Sequence, residues 1–226
     1  MSIWTRIMDA LGALASGEGL SAVFDRLSTP PERSVAFTIA VIALGAKMAK
    51  ADGQVTRDEV AAFREVFHIP PEDEKDAARV FNLARQDVAG YRAYAAKIRA
   101  MFGEDSETLC DVMEGLFHIA VADGRYHPSE NDFLAEVADA FGLPEARFRS
   151  LRGRFVPDAM GDPYDILGVS PDMPMDQIRA AWKRLVRETH PDAMVARGLP
   201  EEAVQLAERR MVDINRAWSE IEAARG

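Results

Sequence analysis

Close to the C-terminal end of the chain an imidazole, a proline and a carboxylate stand in a row, His190-Pro191-Asp192. Upstream of them Arg179, Lys183 and Arg187 recur every four residues, with Arg184 alongside, a spacing that lines cations along one side of a helix. Imidazole and carboxylate groups serve proton transfer when a reacting group lies within reach. No nucleophile stands at a recognisable spacing from a base in this chain, and no glycine-rich loop suits a phosphate. The chemistry on offer is therefore contact with another protein, and no catalytic role is expected. A third group, Asp52, Glu59, Asp123 and Glu130, supplies carboxylates at repeated spacing and is the one candidate for holding a divalent ion.

The elements that must present the tripeptide follow from periodicity. Ile178, Ala181, Trp182 and Leu185 recur at i, i+3, i+4 and i+7, so Met175 to Thr189 is predicted as a helix with an apolar stripe and a cationic one. Pro174 fits its first turn, and Pro191 ends it while biasing His190 away from the α region. A returning helix starts near Pro200-Glu201-Glu202 and runs to Ala224, with Val204, Ala207, Met211, Ile214, Trp218 and Ile221 as its stripe. Trp182 and Trp218 fill the seam between the two helices, and Tyr164 and Leu167, on a short opening helix, close its top. His190-Pro191-Asp192 then reads as a loop held out by an antiparallel hairpin.

Four elements stand in order: Asp162-Pro163-Tyr164-Asp165-Ile166-Leu167-Gly168-Val169, Ile178 to Leu185, His190-Pro191-Asp192, and Ile214-Asn215-Arg216-Ala217-Trp218. In this order and spacing they resemble the J-domain of DnaJ-type (Hsp40) co-chaperones, and the stretch Ala196 to Glu202 resembles the corresponding loop of DjlA-type proteins. The resemblance implies an Hsp70 (DnaK-type) partner. Arg179, Lys183, Arg184 and Arg187 would meet an acidic surface on its ATPase domain, and the tripeptide would bias it toward hydrolysis. It implies no cofactor, and client proteins as further partners. Two positions depart from the pattern: Trp182 replaces a frequent tyrosine and keeps an aromatic ring, whereas Ala193 stands where a basic residue often follows the tripeptide. Ala193 leaves open a J-like interaction or scaffold module that binds without stimulating.

At 226 residues the chain has room for two domains, and its net charge of −10 argues against nucleic acid as a partner. The single cysteine, Cys110, lies in an apolar helical pattern and reads as a buried hydrophobe; no disulfide is possible within the chain, so a reducing, cytoplasmic setting is expected. The longest apolar run, Val35 to Ala46, is shorter than the roughly 18–20 residues of a membrane helix and reads as a core helix.

The first two-thirds reads as helix after helix, over 32–51, 57–68, 73–86, 88–102, 105–122, 128–141 and 144–152, so the whole chain is expected to be all-α. Ala51-Asp52-Gly53 recurs as Ala122-Asp123-Gly124, each followed seven residues after its aspartate by a glutamate, Glu59 or Glu130. An EF-hand is rejected, because Met48 and Lys50 occupy the first ligand positions. Helix capping accounts for the rest: Gly53 and Gly124 suit a left-handed residue after a helix, Thr56 to Glu59 forms a capping box, and Pro128-Ser129-Glu130 opens a helix. A shared ion site in a stress-response protein is the alternative. The duplicated turns resemble the TerB-like (tellurite-resistance) helical domain, and a TerB-like domain joined to a J-domain is the DjlA-type layout. DjlA-type proteins also carry an N-terminal membrane anchor, which is not expected here. The expected organisation is an amphipathic helix and linker at 1–30, the TerB-like domain at 31–152, a linker at 153–161 and the J-domain at 162–226. Ile3, Trp4, Ile7, Met8, Leu11 and Leu14 form a stripe that either docks on the chain's own domain or touches a membrane peripherally.

Overall fold

The computed structural model describes residues 7, 33–51, 74–86, 90–103, 105–122, 124–156 and 162–225. The chain is all-α, and ten helices are described. They are α1 (Arg33–Ala51), α2 (Glu74–Gln86), α3 (Tyr91–Phe102), α4 (Ser106–Ala120), α5 (Pro128–Phe141), α6 (Glu145–Phe155), α7 (Pro163–Leu167), α8 (Met175–Thr189), α9 (Pro191–Ala196) and α10 (Glu201–Arg225). The expected helix over 57–68 lies outside the described residues.

The apolar run read as a core helix is one. In α1, Ile39 to Leu44 are fully buried, as expected of a helix that is hydrophobic all round. Helices α2, α3, α4 and α5 pack around it. Gly115 lets α4 approach closely: a Cβ there would lie 3.1 Å from a methyl of Val41. Asp105 starts α4, its carboxylate accepting from the Thr108 N–H at 3.1 Å. Ile7, the one described residue of the 3–15 stripe, is buried in this same core. Among the described residues no helix is long and apolar enough to cross a membrane.

The duplicated acidic turns are described only in part. Gly124 is left-handed at φ 78°, and the Glu130 carboxylate accepts from the His127 N–H at 2.8 Å, so Glu130 serves the start of α5. Asp52, Glu59 and Asp123 lie outside the described residues. Among those described, no group of three or more His, Cys, Asp or Glu residues is placed to hold a metal ion.

The C-terminal helices enclose a second, smaller core of Ile166, Leu167, Ile178, Leu185, Ile214, Ala217, Trp218 and Ile221. Trp182 and Trp218 stack with ring centroids 5.0 Å apart, and Trp182 Nε1 donates to Asn215 Oδ1 at 3.0 Å. Here the structure corrects the expected seam. Only the C-terminal half of α10 lines the hairpin. Its first turns turn Ala203 and Ala207 into the larger N-terminal core, together with Met194 and Leu199. Helix α10 thus belongs to both cores.

The expected break at 153–161 also begins later. Helix α6 continues to Phe155, because Arg154 is drawn into the interior by Glu114 at 3.2 Å and Gly153 passes close to Asp165 of α7. Ser150 Oγ donates to the Ile166 carbonyl at 2.6 Å, tying α6 to α7.

Between the two cores lies a charged network. Asp111 and Glu114, one turn apart on α4, have side chains only 3% and 2% exposed. Asp111 accepts from Arg197 at 2.7 Å and from Arg210 at 2.9 Å. Arg210 also reaches Glu114 at 2.8 Å. At the rim, Arg147 of α6 bridges Glu107 at 2.6 Å and Glu188, near the end of α8, at 2.7 Å. Burial pushes the Glu114 carboxyl above its ordinary range, against the pull of Arg210 and Arg154. Burial likewise lowers the Arg154 guanidinium to about 10, against the pull of Glu114.

Two outcomes are expected. Glu114→Ala leaves buried Arg154 without its carboxylate and Arg210 with Asp111 alone, and should lower stability by about 3–5 kcal/mol, read from urea unfolding. Cys110 is buried and its thiol is pushed up to about 12, chiefly by burial. Because only the thiolate reacts, a chromogenic disulfide reagent at pH 8 should leave the native protein unmodified and titrate one thiol in denaturant.

Candidate partner-docking site

The site is built on a helix junction. Helix α8 ends at Thr189, which is buried, and the chain leaves it at His190 with φ −59° and ψ 133°. Pro191 cannot continue α8 but suits a first helical position, so a new helix, α9, starts there. His190 is its N-cap: Nδ1 accepts from the Asp192 N–H at 3.2 Å. The tripeptide expected as an open loop is therefore the capped start of a short helix. Its backbone is fixed by a proline ring, a side-chain cap and Met194, which is buried in the N-terminal core one turn on.

That cap assigns the imidazole tautomer. With Nδ1 accepting, the neutral ring carries its proton on Nε2. The His190 side chain is 49% exposed and the Asp192 side chain 92% exposed, with His190 Nδ1 3.6 Å from an Asp192 carboxylate oxygen. A polar ring and a carboxylate are thus open to solvent on a fixed backbone. The arrangement can hydrogen-bond or ion-pair with another surface, and it encloses no reacting centre.

The cations fall into two groups. Lys183, Arg184 and Arg187 are exposed on the C-terminal half of α8, the half that leads into His190. Arg187 Nε donates to the Lys183 carbonyl at 3.3 Å, and Arg184 reaches Glu188 at 3.7 Å. Arg179 lies one turn further back and is tied to the hairpin. Its guanidinium sits 5.4 Å from the centre of the Trp218 ring and 3.6 Å from Glu222. The structure therefore brings Lys183, Arg184 and Arg187 together beside the tripeptide and sets Arg179 apart. All seven residues that the sequence offers for partner docking lie on α8 or at the α8–α9 junction.

Sequence reasoning missed the residues that hold this junction from behind. Arg197 follows α9, donates to the Glu188 carbonyl at 3.3 Å and reaches across to Asp111. A signal for them exists. Glu107, Asp111 and Glu114 stand at i, i+4 and i+7 on one side of an otherwise apolar helix, and Arg147 and Arg154 stand seven apart on α6.

Comparison with known proteins accounts for both parts of the fold. The family model described as tellurite resistance protein TerB matches residues 38–153, and the DnaJ domain model matches residues 162–223. A co-chaperone protein DjlA of Aliivibrio fischeri is 28% identical, the alignment covering 86% of this chain and 81% of the relative. That of Photobacterium profundum is 25% identical over 93% of this chain and 85% of the relative. That of Escherichia coli is 22% identical over 100% and 99%. No solved structure matches the chain. With a TerB match across half of its length, a DnaJ match directly after it and DjlA relatives aligned along both, the chain belongs to the family that joins a TerB domain to a C-terminal DnaJ domain.

Proposed function

We propose that the chain is a co-chaperone that binds an Hsp70 of the DnaK type through its DnaJ domain and stimulates that partner's ATP hydrolysis. The observation that carries this reading is the solvent-exposed His190 and Asp192 on a capped, proline-fixed backbone, inside a segment that matches the DnaJ family. Lys183, Arg184 and Arg187 act first. Cations facing an acidic surface raise the encounter rate and set orientation. The tripeptide acts second. A ligand shifts a conformational equilibrium only by binding the two states unequally, and His190-Pro191-Asp192 is the part of this chain fit to make that difference. The hydrolytic chemistry stays in the partner, so no residue here is catalytic. The partner's company implies a cytoplasmic setting, and client proteins are the further ligands of such a pair.

A second reading, binding without stimulation, is favoured by one residue. Ala193 provides no charge where a basic side chain often follows the tripeptide, and it lies in the first turn of α9.

Single-turnover ATP hydrolysis by a DnaK-type Hsp70 separates the two. Wild-type protein should accelerate hydrolysis, and His190→Gln should return the rate to that of the Hsp70 alone. Equal rates with wild type and variant would sink the tripeptide mechanism, whether both accelerate or neither does. Acceleration that returns on placing lysine at Ala193, absent in the wild type, would support binding without stimulation. The cationic flank gives a separate expectation. Lys183→Ala with Arg187→Ala should raise the concentration needed for half-maximal stimulation several-fold, more strongly at low salt, while unfolding free energy changes by no more than about 0.5 kcal/mol.

A further inference from the structure

Among the described residues, the least exposed charged side chains lie between the N-terminal domain and the J-domain. Asp111 and Glu114 belong to α4, inside the TerB-matching segment. Two of their partners, Arg197 and Arg210, belong to the DnaJ-matching segment, one just after α9 and one on α10. Both carboxylates are buried in the middle of a helix whose other inward positions, Thr108 apart, are apolar. An acid in such a place is costly without a cation, so the helix is matched to a J-domain docked against it.

The apolar contacts follow the same line. Met194 of α9, Leu199 of the following turn, and Ala203 and Ala207 of α10 are buried in the N-terminal core and not in the hairpin's own. They flank Arg197, and Arg210 follows Ala207 on the same buried side of α10. At the other edge Arg147 of α6 holds Glu188, two residues before His190. Anchors from the N-terminal domain thus reach the chain on both sides of the tripeptide, while His190 and Asp192 stay exposed. The contact holds the site from behind and leaves its face clear.

We propose that the Asp111–Glu114 pair is a clasp through which the N-terminal domain fixes the α8–α9 junction, so that the TerB and J-domains present His190-Pro191-Asp192 as one rigid body. Asp111 and Arg197 are positioning residues: they act on the tripeptide through α9 and touch no partner. The proposal deepens the co-chaperone reading, and the rigidity it claims is measurable without any Hsp70.

The test uses the full chain and two substitutions. Asp111→Asn removes the charge shared by Arg197 and Arg210, and Arg197→Gln removes the rim cation alone. Hydrogen–deuterium exchange of the amides from Asp192 to Leu199 is read against that of α3, which contributes no residue to the clasp. Exchange in the 192–199 segment should rise at least tenfold in both variants, with α3 unchanged. Half-maximal stimulation of Hsp70 should require several-fold more protein, with the same maximal rate, because the tripeptide itself is intact. Exchange at 192–199 within twofold of wild type in Arg197→Gln would overturn the clasp, whatever the ATPase assay gives. Should Asp111→Asn loosen α3 as well, Arg197→Gln alone decides by the same criterion. A wild type that fails to stimulate refutes the co-chaperone reading and leaves the exchange result standing.

Discussion

Two carboxylates out of reach of water, Asp111 and Glu114, are the constraint on which the arrangement of this molecule rests. Taking an ion out of water costs several kcal/mol even after relaxation, and the loss is recovered only when partners with good geometry surround it. Here Arg197 and Arg210 donate to Asp111 at 2.7 and 2.9 Å, and Arg210 and Arg154 ion-pair with Glu114 at 2.8 and 3.2 Å. These arginines come from three places in the chain: the turn after α9, helix α10, and the end of α6. Each of those elements is therefore held where it is by the demands of one helix. Charge pairs of this kind contribute little net stability compared with well-packed apolar groups, but they punish any other arrangement severely. The network is best understood as specifying a relative placement.

That placement explains how the candidate docking site acquires a fixed backbone. A six-residue helix such as α9 has no standing by itself. Its start is set by Pro191 and the His190 cap, and its far end by Met194, Arg197 and Leu199 held against the other domain. The exposed groups of the site are polar and need no burial of their own, so all the ordering comes from residues behind them. Stiff support behind an exposed site lowers the entropy lost when a partner binds.

Much of this was legible in the sequence, and what was not has a physical reason. The tripeptide, its cationic flank, the Trp182–Trp218 seam and the buried α1 could be read because periodicity and proline chemistry act locally. His190-Pro191-Asp192 reads as a loop in the sequence and is the start of a helix in the structure. Pro191 both ends α8 and begins α9, and only the docking of Met194 makes the second role win. The apolar stripe of the returning helix was assigned to one core because a sequence carries no sign of where along a helix its neighbours change. Ala203 and Ala207 read the same whichever domain buries them. The acids of α4 carry no such local signal, because a polar residue in an apolar pattern ordinarily marks a solvent face. Their i, i+4, i+7 spacing signals a second buried face only once four arginines from distant segments are seen to converge there.

Helix α10 has 25 residues and so is about 37 Å long, and it is shared between both cores. Dissection at the apparent boundary near residue 162 would therefore not liberate a self-sufficient module. The excised piece would carry a bare apolar patch made of Met194, Leu199, Ala203 and Ala207, with Arg197 and Arg210 stripped of their counter-ions. The remainder would keep Asp111 without either of its arginines and Glu114 with Arg154 alone. For this chain, sequence homology and mechanical autonomy draw their borders in different places.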